Sequence, residues 1–97
     1  MKTAFTTEKL EKAAFVLKTI AHPLRIAIVD LLSIHKKASV TELCKSLNAE
    51  QSLISHHLST MKAKGILSSE RQGQRIYYAL ELKEVVGILA CMEKCDI

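Results

Sequence analysis

Seven side chains in this 97-residue sequence could do covalent or metal chemistry: Cys44, Cys91, Cys95, His22, His35, His56 and His57. Cys91 and Cys95 stand four residues apart, so on a helix they share a face with Cβ atoms roughly 5–6 Å apart. That separation is long for an unstrained disulfide, but two thiolates there could grip arsenite or another soft ion with outside help. Cys44 follows Leu43 at a position where a small buried side chain would serve equally well, and cysteine often plays that part. His56 and His57 are adjacent and diverge by about 100° on a helix, so they do not form a metal pair. His22 precedes Pro23 and reads as a helix cap; His35 reads as an exposed loop residue. There is no Cys-x-x-Cys pair and no nucleophile–base arrangement, so the chain is expected not to be an enzyme.

A second kind of chemistry, non-covalent recognition, is written into Glu50–Lys64. As a helix this stretch puts Ile54, Leu58 and Met61 on one face. The opposite face carries Ser52, His56 and Ser59, with Gln51 and Ser55 to one side. A merely solvated face would carry Glu and Lys. Short hydrogen-bonding side chains with no acid after Glu50 suit base edges and phosphates. His57, at the edge of the apolar stripe, reads as structural.

The elements that must hold this helix follow in order. Glu8–Ile20 is helical, with Thr7 able to cap it. Its Ala13–Leu17 run is apolar around most of the circumference, more than one core face needs. Pro23 suits the first position of a second helix, Pro23–Leu32, whose composition marks it as central and buried. Ser33–Ala38 reads as a basic turn. Ser39 and Glu42 fit a capping box that starts a short helix to Leu47, and Asn48 suits a left-handed helix end. Two short helices joined by a tight turn make a helix-turn-helix. Gly65 ends the second of them. Ile66–Arg71 and Arg75–Leu80 then predict two strands around Gln72-Gly73-Gln74, where Gly73 is free to take positive φ. A hairpin in that place is a wing, with Arg71, Gln74 and Arg75 at its tip set for phosphate or minor-groove contact. Leu82–Glu93 is a last helix, again with a wide apolar face. The expectation is one mainly α domain over residues 1–97 with a small β-hairpin. Its order is α-α-α-α-β-β-α, and it forms a homodimer through the first and last helices.

Charge placement agrees. The formal net charge is +4. Between Gln51 and Leu80 the cations are Lys62, Lys64, Arg71 and Arg75, against Glu70 alone. From Glu81 onward the balance turns acidic. A positive reading head favours a polyanionic partner such as double-stranded DNA. No signal or membrane-spanning run is present, so the expected place is the cytoplasm, where three cysteines are thiols by default.

Leu17–Ile26, Val40–Cys44, Gln51–Leu58 and Arg71–Leu80 together resemble the ArsR/SmtB family of winged-helix repressors. The resemblance covers Leu17 to Leu80. It implies a homodimer bound to a palindromic operator and released by an effector, often a metal ion, arsenite or a thiol-reactive species. Two positions depart from the pattern. Glu50 stands where Ser is usual; it suits the helix dipole but caps poorly and repels phosphate. His22 stands where Asp or Asn is usual. The family's arsenite and cadmium site needs two cysteines one residue apart; here the segment reads Cys44-Lys45-Ser46, with one. Its zinc site in the last helix uses histidine, and this last helix has none. Some members sense persulfide or oxidants with one cysteine at the Cys44 position and one near the C-terminus. The resemblance therefore favours a thiol sensor pairing Cys44 with Cys91 or Cys95. The alternatives are a soft-metal site at Cys91 and Cys95, a regulator whose cysteines only pack, and a protein-interaction winged helix. A bond from Cys44 to the tail would tie the reading head to the dimer helix and shift the spacing of the two heads.

Overall fold

A computed structural model describes residues 1–94. Its order is α1 (Thr7–Ile20), α2 (Pro23–His35), β1 (Lys37–Ser39), α3 (Val40–Leu47), α4 (Gln51–Ala63), β2 (Leu67–Gln72), β3 (Arg75–Leu80) and α5 (Glu84–Lys94). This is the expected helix–turn–helix and hairpin order with one strand added.

The added strand corrects the reading of Ser33–Ala38 as a turn. α2 runs on to His35 and stops because Lys36 takes φ 67°, outside the helical region. The chain then lies along β3, pairing Lys37 with Ala79, Ala38 with Tyr78 and Ser39 with Tyr77. The sheet is three-stranded in the order β1-β3-β2, so the wing is fastened to the body by its inner strand. Other boundaries move by a residue or two. Thr6, not Thr7, caps α1, its hydroxyl accepting from the Lys9 N–H at 3.2 Å. α5 begins at Glu84 rather than Leu82, because the Glu81 and Leu82 N–H groups both donate to the Ile66 carbonyl and hold the chain in a turn.

The local signals act as physics requires. His22 lies extended before Pro23, and its Nδ1 accepts from the Leu24 N–H at 3.1 Å, capping α2. The Ser39 hydroxyl accepts from the Glu42 N–H at 3.2 Å, and the Glu42 carboxylate accepts from the Ser39 N–H at 2.8 Å. Those hydrogen bonds hold the Glu42 carboxyl below the usual carboxylate range. Asn48 ends α3 in the left-handed region.

The core lies where α2, α3, α4, the base of the hairpin and α5 meet. Ile28, Val29, Leu32, Leu43, Ile54, Leu58, Met61, Ile66 and Val85 are its fully enclosed side chains. α1 contributes Val16 and Ile20 and leaves Leu10, Phe15 and Leu17 exposed. α5 contributes Val85 and leaves Val86 and Met92 exposed. The wide apolar faces expected for the first and last helices are therefore half used within the chain.

Candidate nucleic-acid interface

α3 and α4 are joined by Asn48, Ala49 and Glu50, and the joint is tied to Cys44. The Cys44 carbonyl accepts from the N–H groups of both Asn48 and Ala49, the latter at 3.1 Å. α4 then starts on Glu50 with no side-chain cap, so no side chain of the helix-turn-helix satisfies its first-turn N–H groups. It closes in a Schellman motif: Gly65, at φ 81°, donates to the Lys62 carbonyl, and Ile66 donates to that of Met61.

The helix has the two faces its periodicity requires. Ile54, His57, Leu58 and Met61 are buried; Gln51, Ser52, His56 and Ser59 are exposed. Ser55 is half-buried at the border. Leu53 was missed by sequence reasoning. It is 45% exposed beside Ser52, although it is apolar, because it lies about a quarter-turn off the buried stripe. The structural role expected for His57 holds: its Nδ1 accepts from Arg25 Nε at 2.9 Å.

The wing turns through Gly73 and Gln74, with Gln72 paired to Arg75. Only the first of the two loop residues has positive φ, 66° at Gly73, the pattern of a type II′ hairpin. Arg71, Gln74 and Arg75 are all exposed at the tip. They are not equivalent: Arg71 Nε folds back to donate to the Gly73 carbonyl at 3.2 Å. At the other end of α4, Lys64 Nζ lies 5.3 Å from the centre of the Phe15 ring, a cation–π distance.

The cysteines fall in different settings. Cys44 is half-buried and packs against the core; Cys91 is exposed on α5. Cys95 lies outside the described residues. Among the described residues no three His, Cys, Asp or Glu side chains gather closely enough to hold a metal ion. No helix among them is long and apolar enough to cross a membrane.

Residues 22–69 match the family described as bacterial regulatory protein, arsR family. The transcriptional repressor PagR of Bacillus anthracis is 44% identical over 80 residues, 82% of this chain and 80% of PagR. The HTH-type transcriptional regulator YgaV of Escherichia coli is 35% identical over 83 residues, 86% of this chain and 84% of its own. The crystal structure of PagR superposes with TM-score 0.80 at 40% identity, covering 90% of this chain and 99% of PagR. A structure of reduced HlyU from Vibrio cholerae superposes with TM-score 0.81 at 28% identity, covering 90% of each chain. The fold and motifs read from Leu17 to Leu80 thus have their counterpart in known regulators, and the chain belongs to the arsR family of bacterial regulatory proteins.

Proposed function

We propose that the chain is a dimeric transcriptional repressor that lays α4 in the major groove of an operator. The observation that carries this is the split of α4 into a sealed apolar face and an open Gln/Ser/His face, beside a basic hairpin. Gln51, Ser52, Ser55, His56 and Ser59 supply base-edge and phosphate contacts. Arg71, Gln74 and Arg75 hold the flanking backbone or minor groove. The uncapped N-terminus of α4 adds backbone donors for a phosphate, which Glu50 partly opposes.

The second protomer covers the unused faces of α1 and α5. In support, a groove of about 480 Å³ runs between these helices, lined by Phe5, Leu10, Val16, Leu82, Val85 and Ile88. Two heads about 34 Å apart then read successive turns of one side of the duplex. The test is selection from a random-sequence duplex library with the full chain. An inverted repeat with half-sites about ten base pairs apart, centre to centre, is expected. Ser55→Ala and His56→Ala should change the preferred sequence, whereas Arg75→Ala should weaken all sequences alike. A library that yields no enriched duplex would leave a winged helix that binds protein instead.

Release from the operator runs through the thiols, with persulfide or oxidant the preferred effector. The support is the place of Cys44, whose carbonyl anchors the turn into α4. With a peroxide, Cys44 and a tail cysteine (Cys91 or Cys95) give up two protons and two electrons as an S–S bond forms, and the peroxide is reduced. The bond would pull on the α3–α4 joint. A second reading, in which the cysteines only pack and no effector acts, is favoured by the contact of Cys44 with the core. Soft ions such as arsenite at Cys91 and Cys95 are a third arm of the same experiment. Operator release is measured against persulfide, peroxide, arsenite and Cd(II), in wild type and Cys44→Ser. Persulfide or peroxide should release the wild type and not Cys44→Ser. Release by arsenite or Cd(II) that survives Cys44→Ser supports the tail pair, and no release by any agent supports the effector-free reading.

A further inference from the structure

Arg25 is a half-buried cation that the DNA-reading face does not use. It leaves the first turn of α2 and spans three helices. Its Nη1 donates to the Thr19 carbonyl near the end of α1 at 2.8 Å, and its Nε donates to His57 Nδ1 on the inner face of α4 at 2.9 Å. The second bond fixes the chemistry of His57. A ring nitrogen that accepts from a guanidinium keeps its lone pair, so the ring's one proton sits on Nε2. His57 is 5% exposed, and its Nε2 is buried without a hydrogen-bond partner among the described residues.

The surroundings oppose a second proton. Arg25 faces the ring from α2. His22, the cap of α2, has its ring centre 4.5 Å away, and His56 of the same helix has its own at 5.6 Å. Among the described residues, the groups that act on His57 electrostatically are these three, and no carboxylate is among them.

We propose that Arg25 and His57 are positioning residues for α4, and that a proton taken up by His57 breaks their bond and releases the helix from its DNA-reading position. In the imidazolium both ring nitrogens are donors. The new Nδ1–H would face the Arg25 Nε–H, donor against donor and cation against cation, and the bond cannot survive. Burial, then Arg25, His22 and His56, hold the His57 pKa below its ordinary value of 6.5. The sign of the linkage follows. Above 6.5 both the folded and the unfolded chain carry neutral His57, and the fold's stability is at its full value. As pH falls below 6.5 the unfolded chain takes the proton first, so stability drops until the folded state also titrates. Binding should weaken in acid once the folded chain itself takes the proton, at a pH below 6.5. An ordinary basic DNA-binding protein does the opposite, since added positive charge draws it towards phosphate.

The inference rests on the DNA-binding reading above, and its test separates the two. Affinity for the selected duplex is measured between about pH 8 and about pH 5 in wild type and in His57→Asn, whose amide oxygen can accept from Arg25 without titrating. In parallel, ¹⁵N NMR of the full chain without DNA follows the His57 ring and the Arg25 Nε–H. The wild type is expected to lose about tenfold or more in affinity on acidification, the scale of one hydrogen bond to a charged group. His57→Asn should hold its pH 8 affinity and lose the acid limb. NMR should show the Nε2–H tautomer at pH 8, and a freed Arg25 Nε–H once the ring is charged. Wild-type binding that tightens in acid would overturn the proposal, and so would an Arg25 Nε–H that stays bonded to a charged ring. Should the Asn variant not fold, the wild-type profile and its NMR titration still decide. Absence of binding at pH 8 defeats the DNA-binding reading itself; binding at pH 8 that persists in acid defeats only the role given to His57.

Discussion

Raising monovalent salt from about 50 to about 200 mM is expected to weaken operator binding by roughly 10³–10⁵-fold, if the dimer neutralises about six to ten phosphates. The candidates on each protomer are few enough to count. Arg71 and Arg75 stand at the wing tip, and Lys62 and Lys64 at the end of α4. Two copies double the four to eight, the middle of that range. Their present engagements differ. Arg71 is folded onto the Gly73 carbonyl and Lys64 rests over the Phe15 ring, so each must give up a local contact to meet a phosphate. Arg75 has a smaller commitment: after the two hydrogen bonds with Ser39, its charge helps to lower the Glu42 pKa. Arg75→Ala should accordingly lower the slope of log affinity against log salt by about two per dimer, one for each wing, and do so for any duplex sequence. Binding followed by fluorescence anisotropy at several salt concentrations measures both quantities. A flat salt response would argue against phosphate contact by these residues and with it against the wing's assigned part.

The sequence carried the parts of this arrangement that are local. The period of Ile54, Leu58 and Met61 defines the inner face of α4 within eight residues. The capping box at Ser39 and Glu42, the cap at His22, the left-handed end at Asn48 and the glycine at the head of the wing turn each depend on one to four neighbouring residues. What escaped is non-local. β1 has three residues, too few to show alternation, and its partners lie some forty positions later in β3. The Arg25–His57 bond joins residues 32 apart in the chain, and neither residue alone announces it. By type, Arg25 is one charged residue in a mostly apolar helix, and His57 a residue at the edge of an apolar stripe. Leu53 is local too: it belongs neither to the Ile54, Leu58 and Met61 stripe nor to the polar face, and the helix angle leaves it 45% exposed between them. The thiols show the limit of residue type. A cysteine at position 44 suits a sensor and a core equally; the fold packs its side chain against the core and uses its backbone carbonyl in the joint.

Truncating Leu58 should separate the two faces of α4 by energy. Leu58 has no exposed surface and lies in the cluster that joins α4 to α2, α3 and α5. Leu58→Ala removes buried methyl groups and leaves a cavity that the rest of the core cluster can only partly close, a change that costs about 2–5 kcal/mol. A domain of this length is held by about 5–15 kcal/mol in all, so the variant loses a large share of its stability. At about 4–8 °C per kcal/mol, the melting temperature should fall by roughly 10 °C or more. Leu53 is the matched control, the same residue type on the same helix, five positions earlier and 45% exposed. Leu53→Ala should stay within about 0.5 kcal/mol of wild type. Thermal unfolding at one fixed protomer concentration measures both, since dimerisation would otherwise make the midpoint depend on concentration. Equal losses in the two variants would mean that α4 is enclosed all round, leaving no open face to read DNA. A large loss confined to Leu58 would mean that the helix is gripped from one side only, which is the physical condition for presenting the other side to a groove.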